Sequence, residues 1–161
     1  MKQEQLRVEP YEGLANWLEK AERIREIRRI TAEVDPYLEM STIVRLAQQE
    51  VAGPALLFEN IKGHPGKRAL FNPFGTSPKR LALAFREIPD KSPMDLVKIL
   101  KEKSKIKIPP KTIAAAEAPV NQNIDRGDQV DITRFPAPHF WPLDGGRYIG
   151  TCDSIITRDP A

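Results

Sequence analysis

The sequence contains one cysteine, two histidines and no long apolar run among its 161 residues. Because a disulfide needs two cysteines, the lone Cys152 excludes an internal bridge and fits a reducing, cytoplasmic setting. Neither His64 nor His139 has a neighbour at the spacing of metal ligands, which argues against a zinc site. No window approaches the roughly 18 apolar residues of a membrane span, and the first residues lack the apolar core of a signal peptide.

The excess of basic charge is small, with a net charge of +3 and a pI near 9.0. Much of it lies in residues 98–111, which carry six lysines and one glutamate. Lysine-rich runs can contact phosphates, but no arginine or aromatic residue interleaves here and no nucleic-acid motif surrounds the run. We therefore predict a solvated helix end that continues into a linker, with no nucleic-acid partner.

Helix and strand patterns alternate through the first hundred residues. Apolar residues at helical spacing from Leu14 to Ile24 predict an amphipathic helix, and residues 26–34 predict a strand. A second helix is expected to begin at Asp35, with Asp as its N-cap and Pro36 at the first helical position. Its inward-facing residues are expected to be Leu38, Ile43, Leu46 and Ala47.

The apolar run 55–58 predicts a strand that is covered on both faces, and residues 67–75 predict a further strand after a glycine-containing turn. Thr76 and Ser77, before Pro78, are both N-cap candidates for a third helix, and Ser92-Pro93 is expected to start a fourth. Alternating helices and strands are typical of an α/β or α+β domain.

The pattern changes near residue 115, after a proline-rich stretch without clear periodicity. Beyond this point short strands are expected at residues 120–125, 130–135 and 147–158. We therefore predict an α/β (α+β) N-terminal domain over residues 10–115 and the start of a β-rich domain over residues 116–161.

Residue spacing alone assigns no catalytic constellation. The Gly145-Gly146 pair could hold a phosphate on its backbone N–H groups, but a tight turn is favoured because no helix or phosphate-binding motif follows. His139 could act as a general base, although a packed loop histidine is the favoured interpretation. Cys152 is expected to be a small side chain within a strand.

Four stretches together resemble one protein family: "EIRRITAEVDPYLEMSTIVRLA", "GPALLFENIKGHPG", "ALFNPFGTSPKRLALAF" and "VDITRFPAPHFWPLDGGRYIGTCDSIITRDP". In order and spacing they resemble the N-terminal portion of UbiD-type decarboxylases, from about residue 10 to residue 160. The resemblance implies an α/β domain followed by the first strands of a split β-barrel flavin-binding domain. It also implies prenylated FMN as cofactor, Mn²⁺ and K⁺ at its phosphate, and reversible decarboxylation of a small aromatic or α,β-unsaturated acid.

The resemblance also determines which site residues can be expected. In the family, the metal-binding Asn, His and Glu, the catalytic Arg and the acidic pair all follow the "TRDP" turn at residues 157–160. No residue here is therefore assigned a catalytic or metal-binding role, and Thr151 is the one expected cofactor contact.

We expect the 161-residue chain alone to be inactive. Its expected partner is the remainder of the enzyme or a separate barrel-bearing chain, in a homo-oligomer. A second hypothesis makes the chain a non-catalytic assembly or binding subunit of a split decarboxylase complex.

Overall fold

The computed structural model describes residues 13–109 and 112–150. Four helices and three strands follow one another in this part of the chain: α1 (Leu14–Arg23), β1 (Ile27–Ile30), α2 (Glu39–Gln48), β2 (Ala55–Phe58), β3 (Ala69–Phe71), α3 (Pro78–Ala84) and α4 (Pro93–Lys103). The predicted mixture of helix and strand is confirmed, including the serine caps: Ser77 accepts a hydrogen bond from the N–H of Arg80, and Ser92 from that of Asp95. None of these helices combines the length and apolarity needed to cross a membrane.

The three strands form one small mixed sheet in the order β1-β2-β3. β1 and β2 are parallel, with Ile27 opposite Ala55, whereas β2 and β3 are antiparallel, with Leu56 opposite Phe71. All four residues of β2 are buried, as the continuous apolar run predicts for a central strand covered on both faces.

Two separate hydrophobic clusters lie on the two faces of the sheet, and Leu56 and Phe58 of β2, which point to the same face, belong to the first of them. The cluster on the α2 side contains Val34, Met40, Val44, Ala47, Leu56, Phe58 and Ile61. The cluster on the α1 and α3 side contains Trp17, Ala21 and Leu83, with Leu18, Ile24, Ile27 and Leu70 packed against it. The sheet is therefore the middle layer between α2 on one face and α1 with α3 on the other.

A buried ion pair joins α3 to the start of β1. Arg80 is fully buried and its Nη1 lies 2.8 Å from Oε2 of Glu26, which also accepts a hydrogen bond from Ser77 Oγ at 2.6 Å. Arg80 Nη2 donates to the carbonyl of Gly53 at 2.7 Å, so one guanidinium ties three loops together. Burial lowers the pKa of Arg80 from its usual value, and the charge of Glu26 opposes that shift.

The expected start of α2 at Asp35 is wrong, because the helix begins at Glu39. Asp35 Oδ1 does accept a backbone N–H, but from Tyr37 at 2.8 Å, so the side chain closes a local turn instead of capping a helix. Leu46, expected to face inward, is 60% exposed. The buried stripe of α2 is Met40, Ser41, Val44 and Ala47.

The strands expected at 120–125 and 130–135 are also wrong. These segments contain short 3₁₀ turns, Pro119–Asn121 and Ile132–Arg134, and no strand is formed between residues 112 and 150. Val120, Ile124, Val130 and Ile132 are all more than half exposed, so no neighbouring strand or core covers them. Residues 147–150 form no strand, and the rest of the third expected strand, 151–158, lies outside the described residues, so a split barrel is not confirmed.

Replacing Arg80 with Ala is expected to lower the free energy of unfolding by about 3 kcal/mol, because the mostly buried Glu26 would lose its buried, hydrogen-bonded partner and keep only the exposed Lys79 at 3.7 Å. The matched control is Arg28→Ala. Arg28 pairs with Glu50 at 3.1 Å, but both side chains are about half exposed, and this loss should be about 1 kcal/mol or less. Urea denaturation followed by circular dichroism measures both variants, and equal losses would contradict the assigned role of Arg80.

Candidate functional site

Backbone hydrogen bonds join residues 36–41 to residues 138–140, and we call this contact the seam. His139 N–H donates to the carbonyl of Pro36 at 3.0 Å, and Leu38 N–H donates to the carbonyl of His139 at 3.0 Å. Ser41 Oγ donates to the carbonyl of Phe140 at 3.0 Å. The start of α2 is thereby fixed to a segment about a hundred residues further along the chain.

Aromatic rings reinforce the seam and connect it to the core. The ring of Tyr37 stacks on that of His139 with 4.8 Å between centroids. From Phe58 in the sheet, edge-to-face contacts lead through Phe71 to Phe140 and on to Tyr148. The chain beyond residue 135 is therefore anchored on the α2 side of the sheet by packing as well as by hydrogen bonds.

His139 has a packing role in this arrangement. Its Nε2 is buried and has no hydrogen-bond partner among the described residues. A general base needs its acceptor nitrogen within reach of a substrate proton, and Nε2 is instead enclosed by the protein. The packed loop histidine that the sequence favours is the interpretation that this geometry supports.

Asp35 lies directly before the seam and is held by three neighbouring residues. Lys62 Nζ lies 2.8 Å from Asp35 Oδ2, and Glu39 Oε2 accepts the backbone N–H of Asp35 at 2.7 Å. Hydrogen bonds from Lys62 and from the N–H of Tyr37 lower the pKa of Asp35, and Asp35 in turn raises the pKa of Lys62. The turn that follows Asp35 ends at Leu38, which has a φ of +64° and immediately precedes α2.

Two open concavities flank the seam. An apolar groove of about 610 Å³ runs along α2 and is lined by Leu38, Ser41, Val44, Arg45, Phe140 and Trp141, with the Arg45 guanidinium 5.1 Å from the Trp141 ring centroid. A charged pocket of about 700 Å³ is lined by Asp35, Lys62, His64, Thr133 and Arg147.

The described residues do not form a catalytic centre at either concavity. Within residues 13–109 and 112–150, no three His, Cys, Asp or Glu side chains are grouped so as to hold a metal ion. Asp35 is already paired with Lys62, and Asp131 Oδ1 accepts both the N–H and the hydroxyl of Thr133. Within the described part of the chain, the observed role of this surface is to hold residues 139 and 140 against the start of α2.

The remaining candidates divide between the described residues and those outside them. Gly145 and Gly146 lie in an exposed bend where a side chain would meet nothing within 4 Å, which agrees with a turn and gives no sign of a phosphate cradle. His64 lies in the charged pocket, with Nδ1 3.3 Å from the carbonyl of Arg134. Thr151 and Cys152 lie outside the described residues.

Sequence reasoning did not identify the seam. Its partners are separated by about a hundred residues, and the only local signal was the proline-flanked aromatic stretch around His139. Tyr37 and Ser41 carry no motif that would have singled them out.

Two family models match consecutive parts of the chain. One is described as the 3-octaprenyl-4-hydroxybenzoate carboxy-lyase N-terminal domain and matches residues 18–100, more than half of the sequence. The other is described as the Rift-related domain of the same carboxy-lyase and matches residues 111–161. The boundary between the two matches falls near the residue at which the sequence pattern changes.

Solved structures show the same relationship. The chain is similar to the vanillic acid decarboxylase ShVdcCD of Sedimentibacter hydroxybenzoicus, with 25% identity and a TM-score of 0.75 over 86% of this chain. It shares its fold with the apo 3,4-dihydroxybenzoic acid decarboxylase of Enterobacter cloacae, with 24% identity and a TM-score of 0.71 over 86% of this chain. It also shares its fold with the UbiD-class enzyme HmfF of Pelotomaculum thermopropionicum in complex with FMN, with 22% identity and a TM-score of 0.66 over 83%. This chain spans 28–30% of the length of these solved chains.

Replacing Tyr37 with Ala is expected to speed hydrogen exchange at the amides of Leu38 and His139 about 2–10-fold. The loss of the ring stack, worth about 0.5–1.5 kcal/mol, favours opening of the seam. Exchange measured by NMR should change little for Leu46→Ala, since Leu46 lies on the exposed face of α2. Unchanged exchange in Tyr37→Ala would mean that the stack does not stabilise the seam.

Acidification is expected to weaken the fold through Asp35. A carboxyl group whose pKa is lower in the folded chain stabilises the fold above its unfolded value, here 3.8, and loses that effect as pH falls through the folded value. Asp35→Asn should therefore be less stable than the wild type at pH 6, and this difference should shrink towards pH 3. Urea unfolding at both pH values gives the comparison. Asp90→Asn, in the exposed loop before α4, is the control, and its stability should match that of the wild type at both pH values.

Proposed function

We propose that this chain, which belongs to the UbiD family of carboxy-lyases, is the N-terminal portion of a decarboxylase that acts on an aromatic or α,β-unsaturated carboxylic acid. The observation that carries the proposal is the succession of two UbiD family matches, over residues 18–100 and 111–161, on either side of a linker. The seam supports it, because it attaches His139, within the second matched region, to residues just before α2 in the first.

In this proposal residues 10–115 form a platform and residues 116–161 begin the cofactor domain. The sheet, the buried Arg80–Glu26 pair and the two hydrophobic clusters make the platform rigid. A cofactor contact must be held in place by surrounding packed structure to be useful in catalysis.

The cofactor is proposed to be prenylated FMN, with Mn²⁺ and K⁺ at its phosphate. The relative HmfF has been solved with FMN and, in an evolved dimeric form, with prFMN. When bound, prenylated FMN would act as the electron sink for loss of CO₂. Within residues 13–109 and 112–150 no cluster of metal ligands or phosphate cradle is present, so no catalytic step is assigned to these residues. Thr151 remains the proposed cofactor contact of this chain.

The proposed partner is a barrel-bearing polypeptide that carries the catalytic and metal-binding groups, either covalently continuous with this sequence or separate from it, within a homo-oligomer in the cytoplasm. The second candidate is the non-catalytic subunit of a split decarboxylase. The seam favours some role in assembly, because the described surface attaches chain segments and presents no acid–base pair.

The 161-residue chain is expected to release no CO₂ when incubated with prenylated FMN, Mn²⁺, K⁺ and a panel of vanillate, 3,4-dihydroxybenzoate and an α,β-unsaturated acid. The family's catalytic groups follow the "TRDP" turn, so none is present to move a proton. Release above a no-protein control would contradict this prediction.

Isolation from the native source separates the two candidate functions. A single longer polypeptide that contains this sequence and is active on one of the acids would support the first candidate, the N-terminal portion of a decarboxylase. An 18.2 kDa polypeptide that co-purifies with a distinct barrel-bearing chain would support the subunit. In whichever assembly is active, Tyr37→Ala should lower the flavin absorbance per protein, and Leu46→Ala should not.

A further inference from the structure

The apolar groove along α2 contains a single charged side chain. Arg45 is the one charged residue among the described residues that line it. Most of the other lining residues are apolar, namely Leu38, Val44, Phe140, Trp141 and Pro142. A concave volume of about 610 Å³ with a mostly apolar lining and a few polar groups is typical of small-molecule sites. The groove therefore suits a ligand with an apolar body and one negatively charged end.

Arg45 is held in place while its N–H groups stay available. Its guanidinium carbon lies 5.1 Å from the centroid of the Trp141 ring, and stacking on a ring orients the planar group without using its in-plane donors. Trp141 is itself positioned, because its backbone N–H donates to Asp144 Oδ2 at 2.9 Å. Asp144 does not line the groove, and Arg45 forms no ion pair with another residue of 13–109 or 112–150.

The other polar side chains of the groove already donate hydrogen bonds. Ser41 Oγ and Thr42 Oγ1 donate to backbone carbonyl groups at 3.0 and 2.7 Å, and Gln48 Nε2 donates to Asn72 Oδ1 at 2.9 Å. The carbonyl groups of a peptide laid into the groove would therefore find few free donors besides Arg45, and each unpaired group would weaken binding. A ligand whose polar atoms are confined to one end fits this lining better than a polypeptide segment does.

We propose that the groove along α2 binds a small planar aromatic carboxylate. The carboxylate would accept two N–H bonds from the Arg45 guanidinium, which is the geometry that arginine favours with this group. The aromatic ring would lie among the apolar lining residues and pack against the rings of Phe140 and Trp141. No reaction is assigned to this site, and the proposal does not depend on the decarboxylase function.

Three ligands of similar size test the proposal in an NMR titration of the full 161-residue chain, followed at the backbone amides of Val44, Arg45 and Gln48. 2-Naphthoate is expected to bind about five- to tenfold tighter than the neutral 2-naphthamide at low salt, because only the anion pairs with Arg45. That difference should shrink at high salt. Decahydro-2-naphthoate has the same charge without a planar ring, and it should bind about threefold more weakly than 2-naphthoate or worse.

Variants assign the two halves of the ligand to their residues. Arg45→Gln should bind 2-naphthoate about five- to tenfold more weakly and leave binding of 2-naphthamide unchanged, a pattern that a general loss of structure would not produce. Trp141→Leu should weaken both naphthyl ligands about threefold or more. Arg23→Gln is the matched control, because Arg23 is exposed on α1, against the other face of the sheet, and it should bind as the wild type does.

Equal binding of 2-naphthoate and 2-naphthamide by the wild type, or no saturable binding of 2-naphthoate, would overturn the proposal. An equal loss in Arg45→Gln and Arg23→Gln would also overturn it, since the effect would then be one of net charge. Sedimentation of the chain alone covers a competing occupant. A dimer that is lost in Trp141→Leu would show that a second copy fills the groove, which would overturn the proposal as well.

Discussion

The pair of hydrogen bonds between His139 and the residues flanking Tyr37 determines how the two parts of the described chain are joined. Pro36 and Leu38 both bond to the backbone of His139, so Tyr37 forms an isolated bridge with His139 within a turn, and α2 begins only at Glu39. Leu38 then adopts a positive φ, which costs on the order of 1–3 kcal/mol for a residue other than glycine. That strain is tolerated because its N–H is bonded in the seam and Thr42 Oγ1 donates to its carbonyl.

The platform and the seam are stabilised in different ways. The platform depends on burial: β2 is covered on both faces, and the Arg80 guanidinium is enclosed where three loops meet. Even Gly75 is constrained by this arrangement, since a Cβ there would lie 2.7 Å from Arg80 Nη2. The seam depends instead on a few backbone hydrogen bonds shielded by aromatic rings. Residues 120–134, which precede the seam in the chain, are exposed. A few hydrogen bonds and ring contacts are thus what hold residues 139 and 140 against the start of α2.

The sequence predicted those features that are decided within a few neighbouring residues. A serine before a proline sufficed for the caps of α3 and α4, and four consecutive apolar residues sufficed for a doubly covered strand. Asp35-Pro36 gave a wrong start for α2, because an aspartate that accepts a backbone N–H can close a tight turn as well as cap a helix. The contact that favours the turn is with His139, about a hundred residues away in the sequence. The strands expected at 120–125 and 130–135 failed for a related reason. β-branched residues favour extended structure only where a neighbouring strand accepts them, and Asp131 instead turns the chain by bonding Thr133.

The same distinction explains why the candidate site was harder to predict than the fold. Helices and strands of the platform are coded by periodicity, whereas the seam uses side chains with no periodic signature: a tyrosine, a serine and a histidine in a loop. Exposed apolar side chains follow this division. All four residues of β2 are buried, whereas Trp141 and Leu143 beyond the seam and Val97 on α4 are more than half exposed. Because exposed apolar side chains of this kind are typical of interfaces, these positions are where the described residues offer surface for further packing.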